Sequence, residues 1–304
     1  MKVLITGGAG YIGTELTTKL CGDKRVSEII VFDDLSRKNY NLFLGSSNLH
    51  SKTRFVNGSI LDSRKLREIL KNVDVVYHLA AKVTTPFADQ NAHQFEQVNH
   101  WGTAELVYAV EESKVSKFIY LSSISVYGSG TEVVDADTIP NPKTYYGISK
   151  QRGEEHVNRL MNKMQTYILR CSNTYGYNRS LRFSSVINKF IFQANFDQYV
   201  TINGDGSQMR TFVHIERVAE CLAGLLENKV PGGVYNLAEK NLTVLNIVEQ
   251  LSRIYPEMEM IFLNQHIKMK EINVMKDQRL APILSESSVS FIDELKTFRK
   301  HFSF

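Results

Sequence analysis

The sequence predicts an α/β fold, a doubly wound parallel sheet followed by a smaller mixed C-terminal lobe. Three observations carry this prediction. Short β-branched or aromatic runs recur at Val3–Thr6, Glu28–Phe32, Arg54–Val56, Val75–Leu79, Phe118–Ser122 and Tyr167–Arg170, each separated from the next by helical stretches. The runs are nearly continuous in apolar residues rather than alternating, so helices must cover both faces of the sheet. A glycine-rich turn, Gly7-Gly8-Ala9-Gly10-Tyr11-Ile12-Gly13, joins the first run to the helical Thr14–Leu20, the strand–loop–helix order of a dinucleotide-binding unit.

Taken in order, that turn comes first. Glycines there allow a tight turn, close backbone approach to a pyrophosphate and tight helix packing, while the helix N-terminus offers unpaired N–H groups to anionic oxygens. Gly7, Gly10, Tyr11, Ile12 and Gly13 are therefore candidate cofactor contacts. The second run ends in Phe32-Asp33-Asp34, about 20 residues beyond Gly13, where a carboxylate accepts hydrogen bonds from an adenosine ribose. That favours NAD, because the acid would repel the extra phosphate of NADP. Arg37 is close enough to take that phosphate, so NADP stands as the alternative.

The fifth run leads into Leu121-Ser122-Ser123-Ile124-Ser125-Val126-Tyr127-Gly128, and Tyr146-Gly147-Ile148-Ser149-Lys150 follows in a predicted helix. Four-residue spacing puts Tyr146 and Lys150 on one helical face. An unperturbed tyrosine titrates near pH 10 and is a poor base at neutrality; a neighbouring ammonium lowers it. Ser123, Tyr146 and Lys150 thus form a candidate acid–base group, with Ser123 holding the hydroxyl to be oxidised. His78, at the end of an apolar run, and His214 read as structural histidines.

From about Tyr175 the regularity weakens, and breaks such as Asn203-Gly204-Asp205-Gly206 and Pro231-Gly232-Gly233 appear. Residues 1–174 are read as the dinucleotide-binding (Rossmann) domain with the Ser/Tyr/Lys group, and 175–304 as mainly a substrate-binding lobe, some of whose segments return to the first domain. The 304 residues are 43% hydrophobic, as in a folded globular chain, and 36 basic against 32 acidic residues give a net charge of +4 without clustering, which argues against a nucleic-acid partner. Cys21, Cys171 and Cys221 stand far apart without metal-ligand spacing, so neither a disulfide nor a metal is expected. The apolar run after Met1 is too short for a membrane span or a secretion signal, and the expected location is the cytoplasm.

The combination resembles the extended short-chain dehydrogenase/reductase family, in its branch of nucleotide-sugar epimerases and dehydratases typified by UDP-galactose 4-epimerase. Its carriers are Thr6 to Gly13, His78-Leu79-Ala80-Ala81, Val98-Asn99, Ser122-Ser123 through Tyr127-Gly128, Tyr146 to Lys150, Leu169-Arg170 with Asn173, and Gly204-Asp205-Gly206 leading to Arg210 and Phe212-Val213-His214. The resemblance implies that Leu79, Ala80 and Ala81 line an NAD cofactor with Asn99 near it. It implies that Asn173 and Arg210 meet the diphosphate of a nucleotide-sugar, Arg210 as a bidentate phosphate ligand. Thr84, in the loop Thr84–Phe87, and Arg279, after Asp277, are the further substrate contacts it suggests. The segment around Phe95–Val110, with Val98, Trp101, Leu106 and Val107 covering the sheet, corresponds together with the Tyr146 helix to the family's dimer-forming helix pair, so a homodimer is expected.

Two departures from the family pattern matter. Gly58-Ser59-Ile60 replaces Gly-Asp-Ile beside the adenine, leaving Ser59 and Ile60 as the contacts there. Where family dehydratases carry Asp-Glu directly after the catalytic Ser or Thr, this chain has Ile124 and Ser125, neither a proton donor at neutral pH. The resulting expectation is an NAD-dependent epimerase acting through a transient keto-sugar at C4, with a net dehydrogenase or ketoreductase as first alternative. A 4,6-dehydratase and a non-catalytic NAD-binding protein rank below these. The base and the sugar are not legible.

Overall fold

A computed structural model describes residues 1–44, 51–83, 92–266, 269 and 271–302. In chain order the first half comprises β1 (Lys2–Thr6), α1 (Tyr11–Cys21), β2 (Glu28–Asp33), β3 (Thr53–Asn57), α2 (Ser63–Leu70), β4 (Val75–His78), α3 (Gly102–Glu111), β5 (Lys117–Ser123), the short β6 (Val133–Val134), α4 (Tyr145–Asn158) and β7 (Gln165–Cys171). The second half adds β8 (Asn173–Tyr175), α5 (Val186–Phe196), β9 (Tyr199–Asn203), β10 (Met209–His214), α6 (Ile215–Gly224), β11 (Gly233–Leu237), β12 (Lys240–Thr243), α7 (Val244–Ser252), β13 (Glu259–Leu263), β14 (Asn273–Val274) and α8 (Phe291–Lys300).

Seven strands form one sheet in the order β11-β7-β5-β4-β1-β2-β3, and every neighbouring pair is parallel. The apolar runs explain why: Val3, Leu4 and Ile5 of β1 and Val75, Val76 and Tyr77 of β4 are buried to 1% exposure or less, on both faces. One face packs on α1 and α6 through Leu16, Leu20, Val218 and Leu222. The other packs on α2 and α3 through Leu66, Leu70, Leu106 and Val107. The strand order reverses between β1 and β4, and in an open α/β sheet the crevice at that switch point is where ligands bind.

The seventh strand, β11, comes from beyond Tyr175 and joins the edge of the sheet beside β7. Around the remaining elements lies a separate core in which Phe190, Ile191, Val200, Ile202, Phe212, Val248, Leu251 and Phe298 meet. Its strands form small sheets: β10 pairs antiparallel with β12 and parallel with β8, and β13 pairs with β9. Among the described residues no helix is long and apolar enough to cross a membrane.

One sequence expectation is corrected here. Trp101, assigned to the sheet-covering face, is 50% exposed and stacks on His100 with ring centroids 4.5 Å apart. The cause is local. Residues Glu96–Trp101 wind as a π-helix leading into α3, and the extra residue per turn shifts the helical phase, as π-segments do.

Candidate active site

A cavity of about 600 Å³ opens at the C-terminal ends of β1, β2, β4, β5 and β7. Gly7, Gly10, Tyr11, Ile12 and Gly13 all line it. Gly7 has φ +72°, and a Cβ there would stand 2.6 Å from the Ala80 nitrogen, so the turn and the approach to the β4 end both require glycine. α1 starts at Gly10 with no side chain capping it. Its first-turn N–H groups therefore face the cavity without a side-chain acceptor, the arrangement that suits a phosphate.

At the end of β2, both oxygens of Asp33 are engaged: Oδ2 accepts from the Ala9 N–H (3.0 Å) and Oδ1 from the Leu35 N–H (2.9 Å). These bonds tie the β2 end to the glycine loop and fix the carboxylate's direction, while burial raises its pKa. Asp34, Ser59, Ile60, Leu79, Ala80, Ala81 and Arg37 also line the cavity. Asn99 does not. Its side chain is fully buried behind the wall, accepting from the Lys82 N–H (2.8 Å) and donating to the Lys82 carbonyl (2.9 Å) and to Ser149 Oγ (3.0 Å). With its amide committed in this way, Asn99 shapes the Leu79–Lys82 segment of the cavity wall.

The candidate acid–base group comes together at the far end. Ser123 ends β5, and Tyr146 and Lys150 point from α4 into the same cavity. The Tyr146 phenol lies close to the Ser123 hydroxyl. Burial raises the phenol's pKa; the nearby Ser123 hydroxyl and the charges of Arg182 and Arg37 oppose it. Lys150 is buried, donates from Nζ to the Leu121 carbonyl (2.7 Å) and lies 4.1 Å from the centre of the Tyr120 ring. Desolvation brings its ammonium down to about 7, with Glu154 resisting. Two further donors remain on such an ammonium for a ligand hydroxyl. The arrangement can move a proton to and from a hydroxyl held between Ser123 and Tyr146.

Asn173 and Arg210 also line the cavity. Asn173 donates to the Thr211 carbonyl (2.9 Å). Arg210 Nε, Gln208 Oε1 and Ser172 Oγ are buried without a hydrogen-bond partner, and all three residues line the cavity. Orphaned buried polar atoms in a cavity lining are costly unless a ligand or water meets them. Thr84 lies outside the described residues. Arg279 is a correction: it is not in the cavity wall. Its guanidinium donates to both oxygens of Asp277 (2.9 and 2.7 Å) and to the Val234 carbonyl (3.0 Å), and it lies 4.8 Å from the Tyr235 ring centre. The neighbouring acid captures the arginine, which leaves it on the outer edge of β11.

The chain matches the NAD dependent epimerase/dehydratase family over residues 3–238. It belongs to that family. It is 32% identical over 266 residues to the dTDP-D-glucose 4,6-dehydratase of Bos taurus, covering 84% of this chain and 73% of the relative. To the putative UDP-glucose 4-epimerase of Methanocaldococcus jannaschii it is 32% identical over 251 residues, covering 80% and 79%. Among solved structures, the UDP-glucuronic acid 4-epimerase from Bacillus cereus in complex with UDP-glucuronic acid and NAD superposes with a TM-score of 0.86 at 28% identity, over 99% of this chain and 98% of that one. The cofactor in the family's name fits the residues present: an uncapped helix N-terminus and a carboxylate fixed at the end of β2 line one cavity.

Sequence reasoning missed a buried ionic group behind the family's Ser/Tyr/Lys residues. Glu154, two turns beyond Tyr146 on α4, accepts from Ser122 Oγ (2.5 Å) and pairs with Arg170 of β7 (Nη2 to Oε2, 2.9 Å). Arg170 Nη1 also donates to the Tyr127 hydroxyl (3.0 Å), which donates to Asn236 of β11 (2.6 Å). One cluster thus fastens α4 to the ends of three strands. The signal was present only as Glu four residues after Lys150, which on an isolated helix reads as a surface pair.

Proposed function

We propose that this chain is a nucleotide-sugar 4-epimerase that uses NAD and passes through a keto-sugar. One observation favours epimerisation over loss of water. The turn after Ser123 presents Ile124, 3% exposed in an apolar cluster with Val126, Tyr127 and Val274, and then Ser125, whose hydroxyl bonds to Ser123 Oγ at 3.2 Å. Neither can deliver a proton to a departing hydroxyl. The carboxylates that line the cavity, Asp33, Asp34 and Glu271, come from the β2 end and from the segment before β14. Relatives include 4,6-dehydratases, so the products must be compared directly.

In this reading Arg210 and Asn173 grip the substrate diphosphate, and the orphaned Nε of Arg210 gains its partner there. Ser123 aligns the sugar hydroxyl against the Tyr146 oxygen. Tyr146 takes the hydroxyl proton as the carbon is oxidised and returns it when the ketone is reduced from its other face, so protons balance over the cycle. Lys150 stabilises the phenolate in between. NAD, when bound, supplies the hydride acceptor for the first half-reaction and the donor for the second. Two copies would associate through α3, the π-helix before it and α4; Trp101 of that π-helix and Tyr145 of α4 are each 50% exposed.

The test is Tyr146→Phe assayed on a panel of UDP- and dTDP-sugars with NAD, products separated by chromatography and mass. Wild type is expected to yield an isomer of unchanged mass without accumulating reduced nicotinamide. The variant should lose about 10²–10⁴-fold in turnover while melting at the wild-type temperature. A product lighter by one water, or a Tyr146→Phe variant of near-normal activity, would overturn the assignment.

A further inference from the structure

Outside the cavity, the seam between the π-helix Glu96–Trp101 and α4 holds a group of rings that the proposed reaction does not use. Its centre is a pair of histidines. His100 of the π-helix and His156 of α4 are stacked, with ring centroids 5.2 Å apart and planes 25° from parallel. Trp101 stacks on His100 in turn (4.5 Å, 27°), and Tyr108 of α3 meets His156 edge-on (6.1 Å, 80°). The charges around the two imidazoles are unequal. His100 Nδ1 lies 2.9 Å from Glu96 Oε2, while Glu96 Oε1 pairs with Arg152 of α4 (2.7 Å), so a proton on His100 has a carboxylate to meet it. His156 faces His100 across the stack and Arg159 at the end of α4, with Glu155 beside it on α4 as the opposing charge. Arg159 is itself held by Glu111 of α3 (2.9 Å) and lies 5.0 Å from the Tyr108 ring centre.

We propose that the His100–His156 stack is a proton-operated latch: with His156 neutral it fastens the π-helix to α4 and gives Trp101 its platform, and with both rings protonated it parts. Two imidazolium rings held face to face repel each other, and Glu96, already shared with Arg152, can neutralise only one of them. Burial first, then the charges of His100 and Arg159, hold the His156 imidazole below the usual histidine value. The folded chain therefore binds this proton more weakly than the unfolded chain does. Above the unfolded value the latch carries no penalty, and the penalty grows as pH falls through that value toward the folded one. The latch lies within one chain and does not depend on the pairing of two copies. It joins two segments that back the cavity: α4, which starts with Tyr146 and Lys150, and the π-helix, whose Asn99 holds Lys82 in the cavity wall.

Trp101 is the single tryptophan of the chain and is 50% exposed, so its quenching by acrylamide can rise by at most about twofold on full exposure. The experiment measures that quenching on the full-length chain between about pH 8 and pH 5, for wild type and His156→Gln, with helical circular dichroism recorded alongside. Wild type is expected to gain accessibility, up to the twofold limit, through a transition below about pH 6.5 with its helical signal unchanged. His156→Gln, which cannot take up the second charge, should stay flat. A wild type whose accessibility does not change, a rise that comes only with loss of helical signal, or an equal rise in His156→Gln overturns the latch. A second measurement does not depend on that variant folding: the ring resonances of isotope-labelled histidine, titrated in wild type and in His100→Gln. Removing the facing charge should raise the His156 midpoint by roughly half to one pH unit, and an unchanged midpoint, or a wild-type His156 that titrates at or above the usual histidine value, rules the latch out.

Discussion

Neutralising Glu154 tests whether the buried ionic group holds the proposed reaction centre together. In the native arrangement Glu154 and Arg170 side chains are 6% and 7% exposed, with Arg170 Nε reaching both carboxylate oxygens (3.1 and 3.3 Å) and Nη2 reaching Oε2 (2.9 Å). Glu154→Gln keeps the shape and one acceptor oxygen. The amide can turn its NH₂ to Ser122, whose hydroxyl then accepts, and its oxygen to Arg170. What it removes is the charge that offsets a guanidinium buried beneath the sheet ends. Breaking a buried pair by removing one partner costs about 3–5 kcal/mol; the retained hydrogen bonds place this substitution near the lower figure, about 3 kcal/mol. For a domain of this size that corresponds to a drop of roughly 6–12 °C in thermal midpoint. The assay is a thermal melt of Glu154→Gln, Arg170→Met and the double variant. In the double variant no charge is left unpaired, so its loss should be smaller than the sum of the two singles. A Glu154→Gln protein melting within about 2 °C of wild type, or strictly additive losses, would refute the account.

Three other outcomes follow from the same architecture. Arg210→Ala should raise KM for the nucleotide-sugar roughly ten- to a hundredfold, the cost of losing charge-assisted bonds to phosphate, whereas Arg279→Ala, off the cavity, should leave KM within twofold; steady-state kinetics decides, and a reversed pattern would return Arg279 to the site. Lys150 in the NAD-free chain titrates at about 7 against 10.5 unfolded, so the unfolded chain binds the extra proton between those values and the destabilisation, full below pH 7, fades as pH rises. The stability of wild type relative to Lys150→Met, from denaturant titrations, should therefore climb between about pH 7 and 10, and a flat difference would show that the amine is not desolvated. Finally, Trp101→Glu, a change at a half-exposed position of the proposed helix pair, should shift sedimentation from dimer to monomer; a wild type that already sediments as a monomer at micromolar concentration rules the pairing out.

The parts of the fold legible in the sequence are those set by short-range pattern. Apolar runs such as Val3–Ile5 fix buried strands, and Gly7 to Gly13 announces a strand–loop–helix turn, because each signal lies within one element. The Tyr146–Lys150 spacing is readable for the same reason. What escapes depends on which distant element arrives. Glu154 and Arg170 look like two unrelated charges until α4 is laid across β7. Arg279 resembles a phosphate ligand because it is a basic residue in the expected stretch, yet Asp277, two residues earlier, holds the Nε–Nη2 edge of its guanidinium. Asn99 resembles a cofactor contact by position, and the structure commits its amide to Lys82 and Ser149. Trp101 departs from its expected face because a 3.6-residue period cannot foresee a π turn.

How Ser123 and Tyr146 come to face one cavity has a backbone explanation. They are 23 residues apart in sequence and belong to different elements, so their distance is set by how closely the start of α4 approaches the turn after β5. That approach runs through Gly147. A Cβ on this residue would lie 2.5 Å from the Ser125 carbonyl oxygen and 2.9 Å from Pro142, so any side chain would push the first turn of α4 away from the strand end. Thr144 caps the same turn, accepting from the Gly147 N–H at 3.0 Å, which fixes where the helix begins. Glu154 then holds the helix from its other end through Ser122, the residue before Ser123. The phenol is thus located by two contacts on either side of it, one steric and one ionic. Neither involves the phenol itself, and this leaves the Tyr146 oxygen free to exchange a proton without loosening the helix that carries it.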